Sequence, residues 1–184
     1  MIFSIVTPSF NQGLFIERTL CSVLTQVGDF DLEYIIVDGG SSDNTIDILK
    51  RTEKMVHSKS FKPRCNNLSF QWLSEKDGGQ ADALTKGFSL STGELLGWLN
   101  SDDVYLRPDT LSTAYRVFIQ SNTDIVVGNA RLIDEYDKVL NSPIMINGLN
   151  DIQFQRKLAS LHRLSIIAFP GCRSPASLEN SLFM

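Results

Sequence analysis

Glu33-Tyr34-Ile35-Ile36-Val37-Asp38-Gly39-Gly40-Ser41-Ser42-Asp43 is the stretch that decides the fold. Its first five residues are nearly all apolar and do not alternate. Such a run marks a strand covered on both faces, the situation of a parallel sheet between helices. The six that follow are turn formers, and Asp43 reads as a turn or helix-cap residue. Ile46, Leu49 and Val56 then recur at helical spacing, so strand, turn and helix follow one another.

The same order repeats on either side. Ile2–Thr7 is a short β-branched run closed by Pro8, a first strand, and Gln12–Val27 carries Phe15, Ile16, Leu20, Val23 and Leu24 at helical spacing. Downstream, residues 58–68 are polar and read as a loop. Phe70–Leu73 reads as a third strand, Gly79–Leu90 as a helix and Leu95–Leu99 as a fourth strand. Pro108 is expected to open a further helix through Leu111, Tyr115 and Phe118, since proline is tolerated in a first turn. Strands are expected at Ile125–Val127 and Ala130–Ile133 and a helix at Asp151–Leu164, while residues 170–184 show no pattern. This alternation predicts an α/β fold with right-handed crossovers: a Rossmann-type, mostly parallel sheet flanked by helices.

Composition narrows the function classes. The chain has 184 residues, 42% hydrophobic and 21% charged, with a net charge of −4. That suits one folded domain, and neither disorder nor a basic nucleic-acid surface is indicated, so no nucleic-acid partner is expected. Cys21, Cys65 and Cys172 are far apart and form no CxxC pair, so neither a zinc knuckle nor a disulfide framework is indicated. A reduced, cytoplasmic setting is the simplest fit. Cys21 falls among apolar helix positions and reads as a small core residue. Trp72 and Trp98 are expected in the core, and neither His57 nor His162 reads as a ligand. The N-terminal run reads as a strand, not a signal peptide. No apolar run approaches the ~18 residues of a membrane span. No transmembrane segment is therefore expected, and any membrane contact would be peripheral.

Ligands of open α/β sheets lie beyond the carboxyl ends of the strands. There the sequence places Pro8-Ser9-Phe10-Asn11, Asp38-Gly39-Gly40, Glu75-Lys76-Asp77-Gly78-Gly79 and Asn100-Ser101-Asp102-Asp103. Any one acid at such a place is usually a turn residue. Four polar or acidic strand ends on one rim are harder to explain that way, because clustered carboxylates repel unless a cation relieves them. Asn100–Asp103 follows the buried run Leu95–Leu99. Its oxygen donors suit a hard ion such as Mg²⁺ or Mn²⁺, which keeps coordination sites for phosphate. Asp38 is placed to accept a base imide N–H or to bind a ribose hydroxyl, with Gly39 and Gly40 allowing close backbone approach. A plain turn remains the competing reading of Asp38.

These residues resemble the family 2 glycosyltransferases, which have the GT-A fold. The resemblance rests on Thr7–Asn11, on Val37–Thr45, on Glu75–Gly87 and on the acidic DxD-type motif Asn100–Asp103, in order and spacing across residues 1 to about 135. It implies transfer of a sugar from a nucleotide-sugar, with UDP the expected nucleotide, to a carbohydrate or lipid-linked acceptor, with inversion and with Mn²⁺ or Mg²⁺. Residues 1–184 would be one nucleotide-sugar-binding domain, with 136–184 a partial acceptor-side region. The resemblance implies donor contacts from Thr7, Pro8, Ser9, Asn11, Asp38, Gly39, Asp77, Asp82, Lys86, Ser101 and Asp102. Asp103 would be the main protein ligand of the metal, with Asp102 touching ribose or metal. For Lys86, an approach to the diphosphate and a helix-capping role both stay open.

Thr85 departs from the family, which has Asn before Lys-Gly. Ser174-Pro175-Ala176 stands where a Gln-Pro-Ala-like segment is expected. The family's catalytic base, an Asp or Glu, follows that segment, and the sequence reaches Met184 without it. The chain is therefore expected to bind donor but to transfer poorly, by roughly 10²–10⁴-fold without a base. Asp134, Glu135 and Asp137 are the only substitutes that the residues offer. A nucleotidyltransferase would need a glycine-rich basic loop after the first strand, and a dinucleotide oxidoreductase would need GxGxxG there; Ser9–Gly13 is neither. A non-catalytic nucleotide-sugar-binding fragment stays open as the alternative.

Overall fold

Continuous apolar strands need a helix on each face, and the two faces here divide by residue parity. The structure, a computed structural model, describes residues 1–121, 125–128, 134, 138 and 166–168. Its elements run β1 (Ile2–Ser9), α1 (Ile16–Leu24), β2 (Asp31–Asp38), α2 (Thr45–Val56), β3 (Asn67–Ser74), α3 (Gln80–Leu90), β4 (Leu95–Trp98), α4 (Thr110–Ser121), β5 (Ile125–Val127) and β6 (Ile166–Ala168). Phe3 and Ile5 of β1 with Leu32, Tyr34 and Ile36 of β2 pack against Ile16, Leu20 and Val23 of α1, Leu49 of α2 and Leu111 of α4. Val6, Ile35 and Val37 point the other way, onto Ala83 and Leu84 of α3. Adjacent residues of a strand face opposite sides, so both helical layers are built from the same short runs.

The sheet order is β3-β2-β1-β4-β6-β5. β1, β2, β3 and β4 pair in parallel, while β6 runs antiparallel to both β4 and β5. Ser9 lies opposite Asp38, and Asp38 opposite Ser74, so three strands end level. β4 is level with Val6 at Trp98, and Leu99 N–H still donates to Val6 O at 3.1 Å. Residues 100–103 thus emerge beside the end of β1.

The mostly parallel α/β sheet is as the sequence predicts, but several details differ. The first helix spans Ile16–Leu24, not Gln12–Val27: the Phe15 and Ile16 N–H groups both donate to Gln12 O, and the chain turns there. Asn11 takes φ 52°, a left-handed conformation that ends the strand. Cys21 is exposed, not a core residue, because it projects from the face of α1 opposite Leu20 and Val23. β3 extends to Asn67–Ser74, beyond Phe70–Leu73, because eight backbone pairs with β2 carry polar residues at an exposed edge. Pro108 precedes α4 instead of opening it, and Thr110 N–H donates to Arg107 O. Trp72 and Trp98 are half-buried and pack against the two cores. The expected strand Ala130–Ile133, the expected helix Asp151–Leu164, His162 and Cys172 lie outside the described residues. No helix among the described residues is long and apolar enough to cross a membrane.

Gly87 of α3 meets the sheet without a side chain. A methyl group there would collide with Val6 Cγ1 and come 3.3 Å from Val37 Cγ2, both in fully buried side chains. Alanine gains about 1 kcal/mol in helix propensity over glycine. Overpacking a rigid contact costs about 1–3 kcal/mol, so the clash is expected to win. Gly87→Ala should therefore lower the midpoint of urea unfolding, and an unchanged or higher midpoint would show that α3 stands off the sheet.

Candidate functional site

The level strand ends leave one rim on which four βα connections meet. They enclose a cleft of about 500 Å³, lined by Pro8, Ser9, Phe10 and Gln12 after β1, Gly39 after β2, Lys76, Asp77, Gly79, Gln80 and Ala83 around the start of α3, and Asn100, Ser101 and Asp102 after β4. Residues 90 positions apart in sequence thus share one concavity.

The first two connections are sewn together. Asn11 N–H donates to Ser41 Oγ at 2.7 Å and Asn11 Oδ1 accepts Ser42 N–H at 2.9 Å. Gln12 N–H donates to Thr45 Oγ1, and Gly13 N–H donates to Asp43 Oδ2. Asp43 Oδ1 also accepts the N–H of Thr45, the first residue of α2, so it is a turn residue as expected. Hydrogen bonding from the Thr45 side chain first, and from the backbone N–H groups of Thr45 and Gly13 after it, holds its carboxyl below the usual carboxylate range. Two polar atoms in the cleft wall have no partner among the described residues: Ser9 Oγ and Gln12 Oε1 are buried yet unbonded, and Ser9 is only 5% exposed. Buried polar atoms left without a partner are rare in native structures and call for an explanation such as a ligand or a water.

Asp38 is fully buried and does not line the cleft. Its Oδ2 accepts Gly40 N–H, Ser41 N–H and Ser74 Oγ–H at 3.1, 2.8 and 2.7 Å, and its Oδ1 accepts Ser41 Oγ–H. A carboxylate with four donors is a strut between the second connection and the end of β3. Gly39 backs onto Asp77, and a Cβ on it would stand 3.0 Å from Asp77 Oδ1, the atom that accepts Gly79 N–H. The absence of a side chain at 39 is thus what lets the second and third connections close up.

Asp82 and Lys86 lie on α3, outside the cleft lining. Asp82 Oδ2 accepts Gly78 N–H at 2.9 Å, and this bond, with a smaller contribution from Lys86, holds its carboxyl below the usual range. Lys86 Nζ is 2.9 Å from Glu75 and 3.2 Å from Asp82, so it bridges the connection to the helix. Thr7 is buried, with its hydroxyl 3.2 Å from Tyr34 OH.

The acidic turn is held by its own chain. Asp103 N–H donates to Asn100 O at 3.1 Å, and Asn100 Nδ2 donates to Asp103 Oδ2 at 3.0 Å. Asn100 Oδ1 accepts Trp98 Nε1–H and Gln80 Nε2–H, which fixes the amide with its NH₂ toward Asp103. Ser101 and Asp102 line the cleft, with Asp103 half-buried behind them. Among the described residues no three His, Cys, Asp or Glu side chains cluster as a ready-made metal cage. Two carboxylates on adjacent residues, with oxygen as the only donor type, do fit an Mg²⁺-like ion, which keeps waters and takes the rest of its shell from phosphate.

Of the residues singled out in the sequence, Pro8, Ser9, Gly39, Asp77, Ser101 and Asp102 line the cleft. Thr7, Asn11, Asp38, Asp82, Lys86 and Asp103 stand behind or beside it. Phe10, Gln12, Lys76, Gln80 and Ala83 line it without having been assigned a role; the signal was available for all but Ala83, since each directly follows a strand or opens a helix on the same rim. Glu135, Asp137 and Ser174–Ala176 lie outside the described residues, and Asp134 Oδ1 accepts Lys138 N–H at 2.9 Å.

The sequence matches the profile of "Glycosyl transferase family 2" over residues 4–174. An uncharacterised glycosyltransferase from Nostoc sp. is 30% identical over 141 residues, 77% of this chain and 40% of that protein. Among solved structures, the mannosyltransferase PcManGT from Pyrobaculum calidifontis, in complex with GDP-Man and Mn²⁺, is similar over 97% of this chain and 46% of its own, at 20% identity and a TM-score of 0.63. Staphylococcus aureus TarS 1-349 in complex with UDP-GlcNAc is similar over 98% and 47%, at 21% identity and a TM-score of 0.59. These likenesses show the GT-A fold. The chain spans less than half the length of each of these proteins.

Asp38→Asn should discriminate strut from ligand contact. It swaps one acceptor oxygen for a donor that faces other donors, and leaving such buried groups unpaired costs about 1–3 kcal/mol. A loss of that size in urea unfolding, with the slope unchanged, is expected; stability equal to wild type would contradict the strut.

Proposed function

The chain belongs to glycosyl transferase family 2, and from that premise we propose that its cleft takes the nucleoside diphosphate of a sugar donor, together with Mn²⁺ or Mg²⁺, for transfer of the sugar to a carbohydrate or lipid-linked acceptor. The observation that carries this reading is the shared cleft: the acidic turn Ser101–Asp102 lines the same concavity as the orphaned Ser9 Oγ and Gln12 Oε1. A ligand with hydrogen-bonding groups at one end and phosphates at the other satisfies both sides.

In this reading the nucleoside lies between Pro8–Gln12 and Gly39. Phe10, 59% exposed in the cleft wall, offers a ring for a base to stack on, and Ser9 and Gln12 offer bonds to its edge. UDP is the nucleotide we expect. Asp38 supports this pocket through its turn and needs no direct contact. Lys76 supplies a cation at the phosphate side. Asp103 and Asp102 would hold the divalent ion, which when bound supplies positive charge against the leaving diphosphate. Gln80, Asn100 and Trp98 keep the turn's amide oriented so that Asp103 presents a fixed carboxylate. Asp77, anchored to Gly79, faces the sugar side.

Transfer itself would be a single displacement with inversion, a carboxylate removing the acceptor's proton. That base belongs to the segment that follows residues 174–176 in the family, outside the described residues. A second reading is binding of nucleotide-sugar without transfer: the carboxylates of the described cleft wall are Asp77, which accepts Gly79 N–H, and Asp102 of the acidic turn, which this reading assigns to donor and metal. NMR of the product anomer, with the 184-residue chain assayed beside a longer form, separates these readings. A cytoplasmic setting remains part of the proposal, from the sparse cysteines alone.

The test of the donor site is calorimetry with UDP. Mn²⁺ should tighten UDP binding, and Asp103→Ala should remove at least about tenfold of that gain, since even outer-sphere partners of a metal act on this scale. UDP affinity without metal should be unchanged by the substitution. Equal affinity of Asp103→Ala and wild type in Mn²⁺ would sink the metal role.

A further inference from the structure

Helix α1 and the chain just after it carry a polar stripe that packs against the protein. Thr19, Ser22 and Gln26 recur at i, i+3 and i+7, and Thr19 and Gln26 are fully buried. Each bonds to the backbone of segment 101–111. Thr19 Oγ1 lies 2.8 Å from both Ser101 O and Asp103 O. Ser22 Oγ accepts Tyr105 N–H at 3.2 Å while donating to Thr19 O. Gln26 Nε2 donates to Arg107 O at 2.8 Å, and its Oε1 accepts Leu111 N–H at 3.1 Å, an orphan donor in the first turn of α4.

We propose that Thr19 is a positioning residue for the acidic turn: its single hydroxyl proton, shared between the carbonyls of Ser101 and Asp103, clamps the peptides that flank the Asp102–Asp103 pair and so sets the direction of the two carboxylates. A helical threonine normally returns its hydroxyl to the carbonyl one turn back. Here the hydroxyl leaves the helix for a loop more than 80 residues away. Asp103 N–H to Asn100 O closes the turn from within, and Thr19 fixes it from outside. The turn is thereby rigid before any ligand arrives, and the ordering cost is met in folding instead of in binding. Ser22 and Gln26 hold the chain that leaves the turn.

The inference rests on the acidic turn holding a divalent ion, and the experiment separates the two. Mn²⁺ uptake in the presence of UDP is followed by electron paramagnetic resonance for wild type, Thr19→Val, Thr19→Ser and Gln26→Ala, with thermal unfolding measured for each. Thr19→Val keeps the shape and removes the hydroxyl. It should weaken Mn²⁺ binding about 10–100-fold, the usual effect of losing a group that orients metal ligands. Thr19→Ser should restore most of the affinity. Gln26→Ala should lower the unfolding temperature at least as much as Thr19→Val while leaving Mn²⁺ affinity near wild type. The inference is overturned if Thr19→Val binds Mn²⁺ as tightly as wild type, or if affinity simply follows unfolding temperature across the variants. Failure of the wild-type chain itself to bind Mn²⁺ with UDP would refute the donor-site reading, and the positioning role with it.

Discussion

A buried carboxylate must be surrounded by donors or it unfolds what holds it. Asp38 sits at the last residue of β2, fully enclosed, and the rim of the sheet is arranged around that requirement. The turn bends back to bring Gly40 and Ser41 N–H groups to it, and β3 ends where Ser74 can add a third donor. The main chain follows the same line, with Gly39 N–H donating to Ser9 O and Glu75 N–H donating to Asp38 O. Three strands therefore stop at one level, and a shared level is what makes a single cleft out of separate loops.

Two further devices tighten the rim. The first connection is sewn to the second by four bonds through Asn11, Gln12 and Gly13, and the third is packed against Gly39 through Asp77. The fourth is supported from below by α1. Every loop of the cleft is thus held by an element other than the strand it follows. Loops fixed in this way present side chains in set directions, which is what orientation of a donor demands of a protein. Lys86, bridging Glu75 and Asp82, belongs to this scaffold.

The polar residues divide into those that satisfy one another and those that do not. Asp38, Asn11, Asp43 and Asp82 each have partners within the rim. Ser9 and Gln12, in the wall of the cleft, have side-chain oxygens that bond to none of the described residues. Trp72 Nε1 and Tyr105 OH, in residues away from the cleft, are buried and unbonded in the same way. Asp38, the acid that ends β2, is held by four donors.

The alternation of apolar runs with helical spacing specified the layered α/β fold, because each strand covered on both faces must be written in consecutive apolar residues. It also placed the polar strand ends on one edge, since parallel strands share a direction. Cys21 escaped because one helical step separates the buried face from the open one. The strand Ile166–Ala168 escaped because its place between β4 and β5 depends on pairing with distant chain. Which rim residues face the cleft was decided only in three dimensions. A side chain's direction follows from φ/ψ at its own residue and from the donors that neighbours bring, and those neighbours lie on other strands. The stripe Thr19, Ser22 and Gln26 shows the limit most plainly. By sequence it is three polar residues in the expected helix Gln12–Val27; in the fold Thr19 and Gln26 are buried, and all three bond to a backbone that starts 75 residues after Gln26.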